Sequence, residues 1–360
     1  MIYGELQKVK VFNLLVLNKI KGDTMKIAIF EVEKWEQEYI SSKVKEHDLV
    51  FSDGELDEES VDKVSDADVV VNFIESKVNK KVISKFKKLK AVITMSTGYD
   101  HIDIKACKER NIAVYNVPRY GENTVAEHAF ALILALAKNL YKSINLTKLG
   151  KFSTEELQGI DLKEKTIGIV GMGSIGSHVA RMAKGFEMNV LAFNRSQDKK
   201  LAKRLGFKYV KTLDELLKNS DIVSLHLPLN KFTYHILNKK NILLMKPGSF
   251  LINTARGDLV DSAAIILALD KGILKGAGLD VLEEEELLKE ERQLYSKKFS
   301  RQDFINLMEN TELMKRDNVL ITPHNAFNTK NALQRVLDTT IKNIKNAASG
   351  NKKKVVERVV

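Results

Sequence analysis

The chain is poor in cysteine and proline: its 360 residues include one cysteine, Cys107, and four prolines. A single cysteine excludes an intrachain disulfide and a cysteine metal cluster, and it is typical of a protein that works in a reducing cytoplasm. Few prolines together with 19 glycines exclude collagen-like and low-complexity proteins. We therefore expect a globular, cytoplasmic protein without a metal site.

Long hydrophobic runs are also lacking. A membrane helix needs about 18 consecutive apolar residues, whereas the longest run, "AFALILALA" at residues 129–137, is much shorter and is predicted to be a buried helix. The stretch "VFNLLVLNKI" near the N-terminus is interrupted by Asn13 and Asn18 and has no small-residue cleavage site. We expect neither a signal peptide nor membrane association.

The net charge of +11 raises the question of nucleic-acid binding. The lysines, however, are scattered along the chain in small clusters, as on a solvated surface, so no nucleic-acid partner is predicted. A positive field also attracts small anionic substrates.

Two series of short apolar runs, alternating with helical patterns, organise the chain. Continuous apolar strands between helices indicate parallel sheets that are covered on both faces. The runs are "KIAIF", "DLVFSD", "VVVNF", "AVITMS" and "IAVYNV", then "TIGIV", "NVLAF", "FKYV", "IVSLHL", "SFLINTA", "GAGLDV" and "NVLITP". The predicted fold is α/β, with two Rossmann- or flavodoxin-like parallel-sheet domains and a cleft between them.

The predicted domain boundaries follow from two places where the chain is expected to pass from one domain to the other. Helical patterns at residues 125–138 and 332–346 are expected to connect the two series. We predict an N-terminal extension at residues 1–24, a substrate domain at 25–119 plus 326–360, and a dinucleotide-binding domain at 120–325. Met25 looks like a first methionine directly before the first strand, so the extension is either a small appended segment or a misread start.

A charged helical insertion is predicted at residues 286–316. An apolar stripe of Phe299, Phe304, Leu307, Met308 and Leu313 favours a surface helix packed on its domain, and a flap at the mouth of the cleft is the alternative.

The glycine motif "GMGSIG" is the strongest local signal for function. Gly171, Gly173 and Gly176 follow an apolar strand, open a helix and precede a second strand. In that setting the first glycine turns the chain, the second lets backbone amides approach a pyrophosphate, and the third packs helix on strand. The alternative is a tight turn without a ligand.

Three polar residues near the ends of predicted strands carry the candidate chemistry. An arginine such as Arg256 can grip a carboxylate with two parallel hydrogen bonds. A histidine such as His324 can exchange a proton near neutral pH, and a carboxylate such as Glu285 favours the imidazolium and fixes the tautomer. Each has a simpler explanation: Arg256 pairs with Asp258 or Asp261, Glu285 is a solvated carboxylate, and His324 is a satisfied histidine. Because all three residues are expected at the same end of the predicted sheet, a functional site is favoured over these simpler explanations.

From about residue 25 to residue 346, the chain resembles the D-isomer-specific 2-hydroxyacid dehydrogenase family. The ordered motifs are "STGYDHID", "NVPRYGENTVAEHA", "GMGSIGS", "SLHLPL", "NTARGDLVD", "GAGLDVLEEE" and "ITPHNAF". Within the family, "NVPRY", "HNAF" and the insertion resemble the D-lactate dehydrogenase branch.

The resemblance implies roles for individual residues. Arg256 matches the arginine that holds the 2-oxo acid carboxylate, His324 matches the acid/base, and Glu285 matches its carboxylate partner. Implied substrate contacts are Ser96, Thr97, Gly98 and Tyr120. Implied cofactor contacts are the three glycines with Ser174, Ile175, His226, Pro228, Thr254, Ala255 and Asp280.

Two departures from the family pattern concern the site. Glu286 follows Glu285 where the family often has proline. Asn194, followed by Arg195 and Ser196, replaces the acidic residue that binds ribose and repels a 2′-phosphate. We expect NADP(H) or NAD(H) as cofactor and favour NADP(H) use, alone or alongside NAD(H).

The resemblance predicts reversible reduction of a small 2-oxo acid, such as pyruvate to D-lactate, by a cytoplasmic homodimer. The alternatives are a reductase of glyoxylate, hydroxypyruvate or another 2-oxo acid, and a non-enzymatic cofactor sensor like the family's corepressors. A methyltransferase that uses the glycine loop is disfavoured by the downstream motifs.

Overall fold

The computed structural model describes residues 24–285 and 300–349. The chain divides into two compact units: unit 1 comprises Met1–Tyr120 with Lys330–Val360, and unit 2 comprises Gly121–Thr329. Each unit is built around its own parallel β-sheet.

Unit 1 contains, among its described residues, a five-stranded parallel sheet in the order β2-β1-β3-β4-β5. Both faces of this sheet are covered, because Val69 and Val71 point into one core cluster and Val70 into the other. The elements are β1 (Lys26–Ile29), α1 (Lys34–Lys43), β2 (Asp48–Phe51), β3 (Val69–Asn72), α2 (Lys80–Lys85), β4 (Ala91–Thr94), α3 (Ile104–Glu109), β5 (Ala113–Tyr115) and α11 (Lys330–Ala348).

Local hydrogen bonds set the ends of the short helices in unit 1. The Asn79 side chain accepts from Val82 N, and the Asp103 side chain accepts from Ala106 N, as helix-capping residues do. Helix α2 ends at Lys85, because Phe86 is already extended. Cys107 is buried in α3, and burial raises the pKa of its thiol to about 11.

Unit 2 contains, among its described residues, a seven-stranded parallel sheet in the order β12-β11-β10-β9-β6-β7-β8. Its elements are α4 (Glu122–Ala137), α5 (Leu140–Lys148), β6 (Thr166–Val170), α6 (Ser174–Gly185), β7 (Asn189–Phe193), α7 (Lys199–Leu205), β8 (Lys208–Tyr209), α8 (Leu213–Asn219), β9 (Ile222–Leu225), β10 (Ser249–Asn253), α9 (Ser262–Asp270), β11 (Leu274–Leu279), α10 (Arg301–Met314) and β12 (Val319–Ile321). The strand order reverses between β6 and β9. In doubly wound sheets, ligands bind at such a switch point, outside the carboxyl ends of the strands.

The prediction of two parallel-sheet α/β domains is confirmed. Each apolar run that was predicted to be a strand contains one. The two connecting helices are also present, as α4 and α11, each extending slightly beyond the predicted start. Among residues 24–285 and 300–349, no helix is both long enough and apolar enough to cross a membrane.

In the part of the insertion that the structure describes, the predicted apolar stripe is confirmed at Leu313, which is buried, and wrong at Phe304 and Met308. Phe304 and Met308 are each 59% exposed, whereas Asn306, Asn310 and Leu313 form the buried face of α10. The physical reason is a hydrogen-bonding requirement: Asn310 donates to a buried carbonyl, and this turns a polar face inward. Residues 286–299, including Phe299, lie outside the described part of the chain.

Candidate active site

Three neighbouring strands of unit 2 deliver the three candidate catalytic residues. Strands β10, β11 and β12 are adjacent and parallel. Arg256 follows β10, Glu285 follows β11, and His324 follows β12. Because carboxyl ends of parallel strands share one edge, the sheet brings all three segments to the same side.

His324 and Glu285 form a close pair. Nδ1 of His324 lies 2.5 Å from Oε1 of Glu285, and both side chains are about three-quarters shielded from solvent. An ionised carboxylate only accepts hydrogen bonds, so Nδ1 carries the proton in both charge states of the ring. The other ring nitrogen, Nε2, is thereby left to exchange a proton with a reactant.

Asp280 holds the turn that carries His324. Its carboxylate oxygens accept from Thr322 Oγ1 (2.5 Å), Asn325 N (3.0 Å) and Ala326 N (2.9 Å), while its carbonyl accepts from His324 N (2.8 Å). The His324 backbone is left-handed, with φ 51°. This conformation is unfavourable for a residue with a side chain and persists where the surroundings fix it.

The arginine segment is packed directly onto the glutamate segment. A Cβ placed on Gly257 would lie 2.0 Å from Leu282 O and 2.5 Å from Glu283 N, so only glycine fits there. Arg256, immediately before it, is partly buried, and its Nη1 donates to the Ala255 carbonyl at 2.7 Å. Asp261, one of the alternative partners for this arginine, instead caps α9 by accepting from Ala264 N.

The glycine motif has the geometry that a dinucleotide requires. Gly171 has φ +101° and a Cβ on it would lie 2.4 Å from His226 O, whereas a Cβ on Gly176 would lie 2.2 Å from Gly171 O. A Cβ on Gly173 would meet nothing within 4 Å. The first and third glycines are therefore required by packing, and the second faces open space at the start of α6, where helix amides attract phosphate.

Buried polar atoms without partners point to the same edge of the sheet. Among the described residues of unit 2, the buried side-chain atoms that lack a hydrogen-bond partner are His226 Nδ1, Thr254 Oγ1 and Asn325 Oδ1. They follow β9, β10 and β12, respectively. Such atoms are rare in native proteins, and a bound polar ligand is one way to satisfy them. Burial lowers the pKa of His226 to about 4, so its ring is neutral near pH 7.

The sequence profile of the D-isomer-specific 2-hydroxyacid dehydrogenases, NAD-binding domain, matches residues 130–326. The chain belongs to this family. It is 35% identical to the glyoxylate reductase of Pyrococcus furiosus over 88% of this chain and 85% of that protein. Its fold matches the D-lactate dehydrogenase of Aquifex aeolicus, which was solved with NAD and lactic acid. The TM-score is 0.84 and the identity 35%, and the match covers 93% of this chain and 99% of that chain. An acyclic imino acid reductase solved with NADPH and D-Arg matches with a TM-score of 0.76 and 30% identity, over 93% of this chain and 100% of that chain.

Membership makes this chain part of an oxidoreductase family with an NAD-binding domain, and the neighbours above were solved with NAD or with NADPH. Unit 2 contains the whole of the matched region. The glycines, the orphaned polar atoms and the helix amides of α6 fit a dinucleotide.

The loop after β7 places Asn194 beside the glycine motif. Asn194 Oδ1 accepts from Met172 N at 3.4 Å, and its Nδ2 donates to Ser196 O at 2.7 Å. Arg195 and Ser196 are exposed. A neutral amide therefore occupies the position where many dinucleotide-binding proteins have a carboxylate.

The candidate substrate residues of unit 1 lie in their own polar loop. Ser96 Oγ donates to Gly98 O at 2.6 Å, and Thr97 Oγ1 donates to Val117 O at 2.9 Å. Tyr120 is half-buried against a core cluster of unit 1, and its carbonyl accepts from Arg335 Nε at 2.7 Å. Their contact with substrate stays a prediction.

Sequence reasoning missed several residues around Glu285. Glu283 is the most buried glutamate of this turn, and it contacts His235 and the start of α9, while Asn310 donates to its carbonyl. His128 Nε2 lies 3.0 Å from Thr322 Oγ1, next to Asp280. These contacts join residues far apart in sequence. Four consecutive glutamates gave no sign of which one is buried.

Proposed function

We propose that this chain is an NAD(P)-dependent D-2-hydroxyacid dehydrogenase that interconverts a small 2-oxo acid, such as pyruvate, and the corresponding D-2-hydroxy acid. The observation that carries the proposal is the His324–Glu285 pair at 2.5 Å, on the same sheet edge as Arg256 and the glycine motif. An acid/base, a carboxylate partner and an arginine are the groups that such a reaction requires.

His324 is the proposed acid/base. With Nδ1 directed to Glu285, the imidazolium releases a proton from Nε2 to the oxygen of the ketone as it becomes an alcohol. In the reverse direction the neutral ring accepts the alcohol proton at the same atom. The carboxylate of Glu285 stabilises the charged ring and keeps its orientation.

Arg256 is the proposed anchor of the substrate carboxylate. Its planar guanidinium can donate two parallel hydrogen bonds to a carboxylate. The tight packing of Gly257 on the Leu282–Glu283 peptide ties the anchor to the segment that carries Glu285. Small displacements between such groups cost rate, so this backbone contact supports a shared function.

A nicotinamide cofactor supplies or accepts the electrons of the reaction when it is bound. Its proposed contacts are Gly171, Gly173, Ser174, Ile175 and Gly176 at the pyrophosphate, Asn194, Arg195 and Ser196 at the ribose, and His226, Pro228, Thr254, Ala255 and Asp280 along the sheet edge. The carboxylate of Asp280 already accepts three hydrogen bonds, so we expect its contribution to come mainly from holding the His324 turn.

We propose NADP(H) use, alone or alongside NAD(H). Asn194 lacks the charge that repels a 2′-phosphate, and the exposed Arg195 and Ser196 beside it can donate hydrogen bonds to phosphate oxygens.

The test is a panel of 2-oxo acids, including pyruvate, glyoxylate and hydroxypyruvate, assayed by nicotinamide absorbance with NADH and with NADPH. Pyruvate-like acids should give the highest kcat/KM. Preference for glyoxylate or hydroxypyruvate would favour the reductase alternative. Cofactor binding without turnover on any acid would favour a cofactor sensor and refute the enzymatic proposal.

We also propose that the protein is a homodimer in which unit 2 meets its counterpart. Leu140, Tyr141 and Ile144 of helix α5 are exposed and line an apolar groove of about 800 Å³, whose other lining residues include Met314 and the proposed catalytic pair, Glu285 and His324. A contiguous apolar surface of this kind is typical of an interaction site. Ile144→Glu should convert a dimer into monomers in sedimentation experiments. Phe232→Glu, at an exposed phenylalanine outside this groove, is the control and should leave the dimer intact.

A further inference from the structure

A buried polar network surrounds Glu283, two residues before Glu285. Glu283 is 6% exposed. Its Oε1 lies 2.6 Å from His235 Nε2, its Oε2 accepts from Ser262 N at 3.1 Å, and its carbonyl accepts from Asn310 Nδ2 at 2.7 Å. We call His235, Ser262, Glu283 and Asn310 the Glu283 bracket. It joins the loop after β9, the start of α9 and helix α10 at one residue.

The bracket lies directly before a backbone turn that needs external support. Glu284 has φ 48°, a left-handed conformation that is unfavourable for residues with a side chain. Such conformations persist where neighbouring groups determine the backbone on both sides. Beyond Glu284, the Glu285 carboxylate is held by His324 at 2.5 Å and accepts from Leu282 N at 3.4 Å. On the near side, the bracket holds the backbone at Glu283.

Packing alone does not explain the bracket. Helix α10 exposes Phe304 and Met308, while its buried face carries Asn306 and Asn310 beside Leu313, so apolar burial alone does not account for the two buried amides. The inward face brings the Asn310 amide to the Glu283 carbonyl. The buried position of Asn310 is explained if the hydrogen bond that holds the Glu283–Glu284 turn outweighs the burial of Phe304 and Met308.

His235 places an imidazole ring among several carboxylates. Burial, then the charge of Glu283, raises the pKa of Asp258, and burial, then Asp261 and Glu283, raises the pKa of Glu309. The Nε2–Oε1 contact gives the buried Glu283 a partner that can balance its charge. Tyr234 stacks on the His235 ring at a centroid distance of 4.0 Å, which fixes the ring plane.

We propose that His235, Glu283 and Asn310 are positioning residues: they fix the Glu284 turn and thereby the distance from the Glu285 carboxylate to His324. The inference rests on the proposed function, because it assigns to the bracket a role in the same reaction. It makes helix α10 part of the support for the catalytic pair.

The test compares two alanine variants on the same buried face of one helix. Asn310→Ala removes the hydrogen bond to the Glu283 carbonyl, whereas Asn306→Ala removes an asparagine whose Oδ1 accepts from Gln302 within the helix. We expect Asn310→Ala to lower kcat about 10-fold or more, with cofactor Kd changed less than twofold. Asn306→Ala should keep kcat within twofold of the wild type, even if both variants lower the melting temperature equally.

A double-mutant cycle with Glu285→Gln separates positioning from general damage. If the bracket acts through Glu285, Asn310→Ala should have little further effect on kcat in the Glu285→Gln background. An undiminished effect in that background would overturn the proposal. So would equal losses of kcat in the Asn306 and Asn310 variants.

His235→Gln is the second variant, and it carries the same test if Asn310→Ala does not fold. Glutamine can still donate to Glu283 but has no charge, and His235 is partly exposed, so folding should be preserved. We expect a smaller loss of kcat that again disappears with Glu285→Gln, and an undiminished loss would contradict the proposal. Wild-type turnover in Glu285→Gln alone would instead refute the assignment of the catalytic pair.

Discussion

Replacement of Gly173 by alanine separates a cofactor loop from a merely tight turn. The Gly173 backbone, with φ −82° and ψ −158°, suits any residue, and an added Cβ would meet no protein atom within 4 Å. We therefore expect the stability of the free protein to change by no more than about 1 kcal/mol, because loss of a helix-capping glycine and reduced unfolded-state entropy roughly offset each other. The melting temperature should shift by less than about 4 °C.

The same methyl group should severely weaken cofactor binding. It would stand where backbone amides approach a pyrophosphate, and each hydrogen bond to a charged group contributes about 1.5–3 kcal/mol. Loss of two such bonds corresponds to a rise in Kd of about 100-fold or more. Fluorescence titration with NADH and with NADPH measures this directly. Wild-type Kd values for both cofactors in Gly173→Ala would refute the cofactor assignment of the loop.

Two other glycines of the same helix provide matched controls. A Cβ on Gly176 would lie 2.2 Å from Gly171 O, so Gly176→Ala should cost roughly 1–3 kcal/mol of folding stability through forced backbone shifts. Gly185 lies at the far end of α6 and also has free space around its Cβ position. Gly185→Ala should change neither stability nor cofactor Kd appreciably.

Four further predictions concern the site and its surroundings. His324→Asn should lower turnover about 100-fold or more in both directions, and near-normal turnover would remove it from the mechanism. Arg256→Gln should lower kcat/KM more than Arg256→Lys, which keeps the charge but loses the paired geometry, and full activity of the lysine variant would contradict the anchor role. Asn194→Asp should shift the kcat/KM ratio towards NADH, whereas Arg195→Ala should weaken NADPH binding selectively, and an unchanged ratio in both variants would count against NADP use. Burial lowers the pKa of His226 from 6.5 to about 4, so the unfolded state binds a proton before the folded state does as the pH falls below 6.5. This difference should lower the free energy of unfolding by about 3 kcal/mol at pH 4. Denaturant titrations should show this loss in the wild type and not in His226→Phe.

The strands were predictable because parallel strands are buried on both faces and therefore appear as continuous apolar runs. Strand β3, with sequence VVVN and every residue buried, is an example. The glycine motif was predictable for a similar reason: Gly171 and Gly176 leave no room for a side chain.

Other features depend on long-range hydrogen bonds, which leave no periodic pattern in the sequence. The orientation of α10 is set by Asn310, whose partner Glu283 lies 27 positions away and on a different element. The apolar pattern predicted that Phe304 and Met308 are buried. That pattern counts only apolar residues, so it cannot predict the burial of an asparagine that has a hydrogen-bond partner. The pairing of His235 with Glu283, 48 positions apart, could not be inferred either.

The solitary thiol of Cys107 makes the stability of unit 1 measurable by itself. The thiolate is the reactive form of cysteine, and this thiol is both shielded in α3 and shifted to a pKa of about 11. A maleimide or disulfide reagent should therefore label only molecules in which unit 1 has opened around α3. The ratio of the labelling rate to that of an unprotected thiol gives the free energy of this opening. Because the chain has no second cysteine, the signal needs no mutagenesis and reports from one known position.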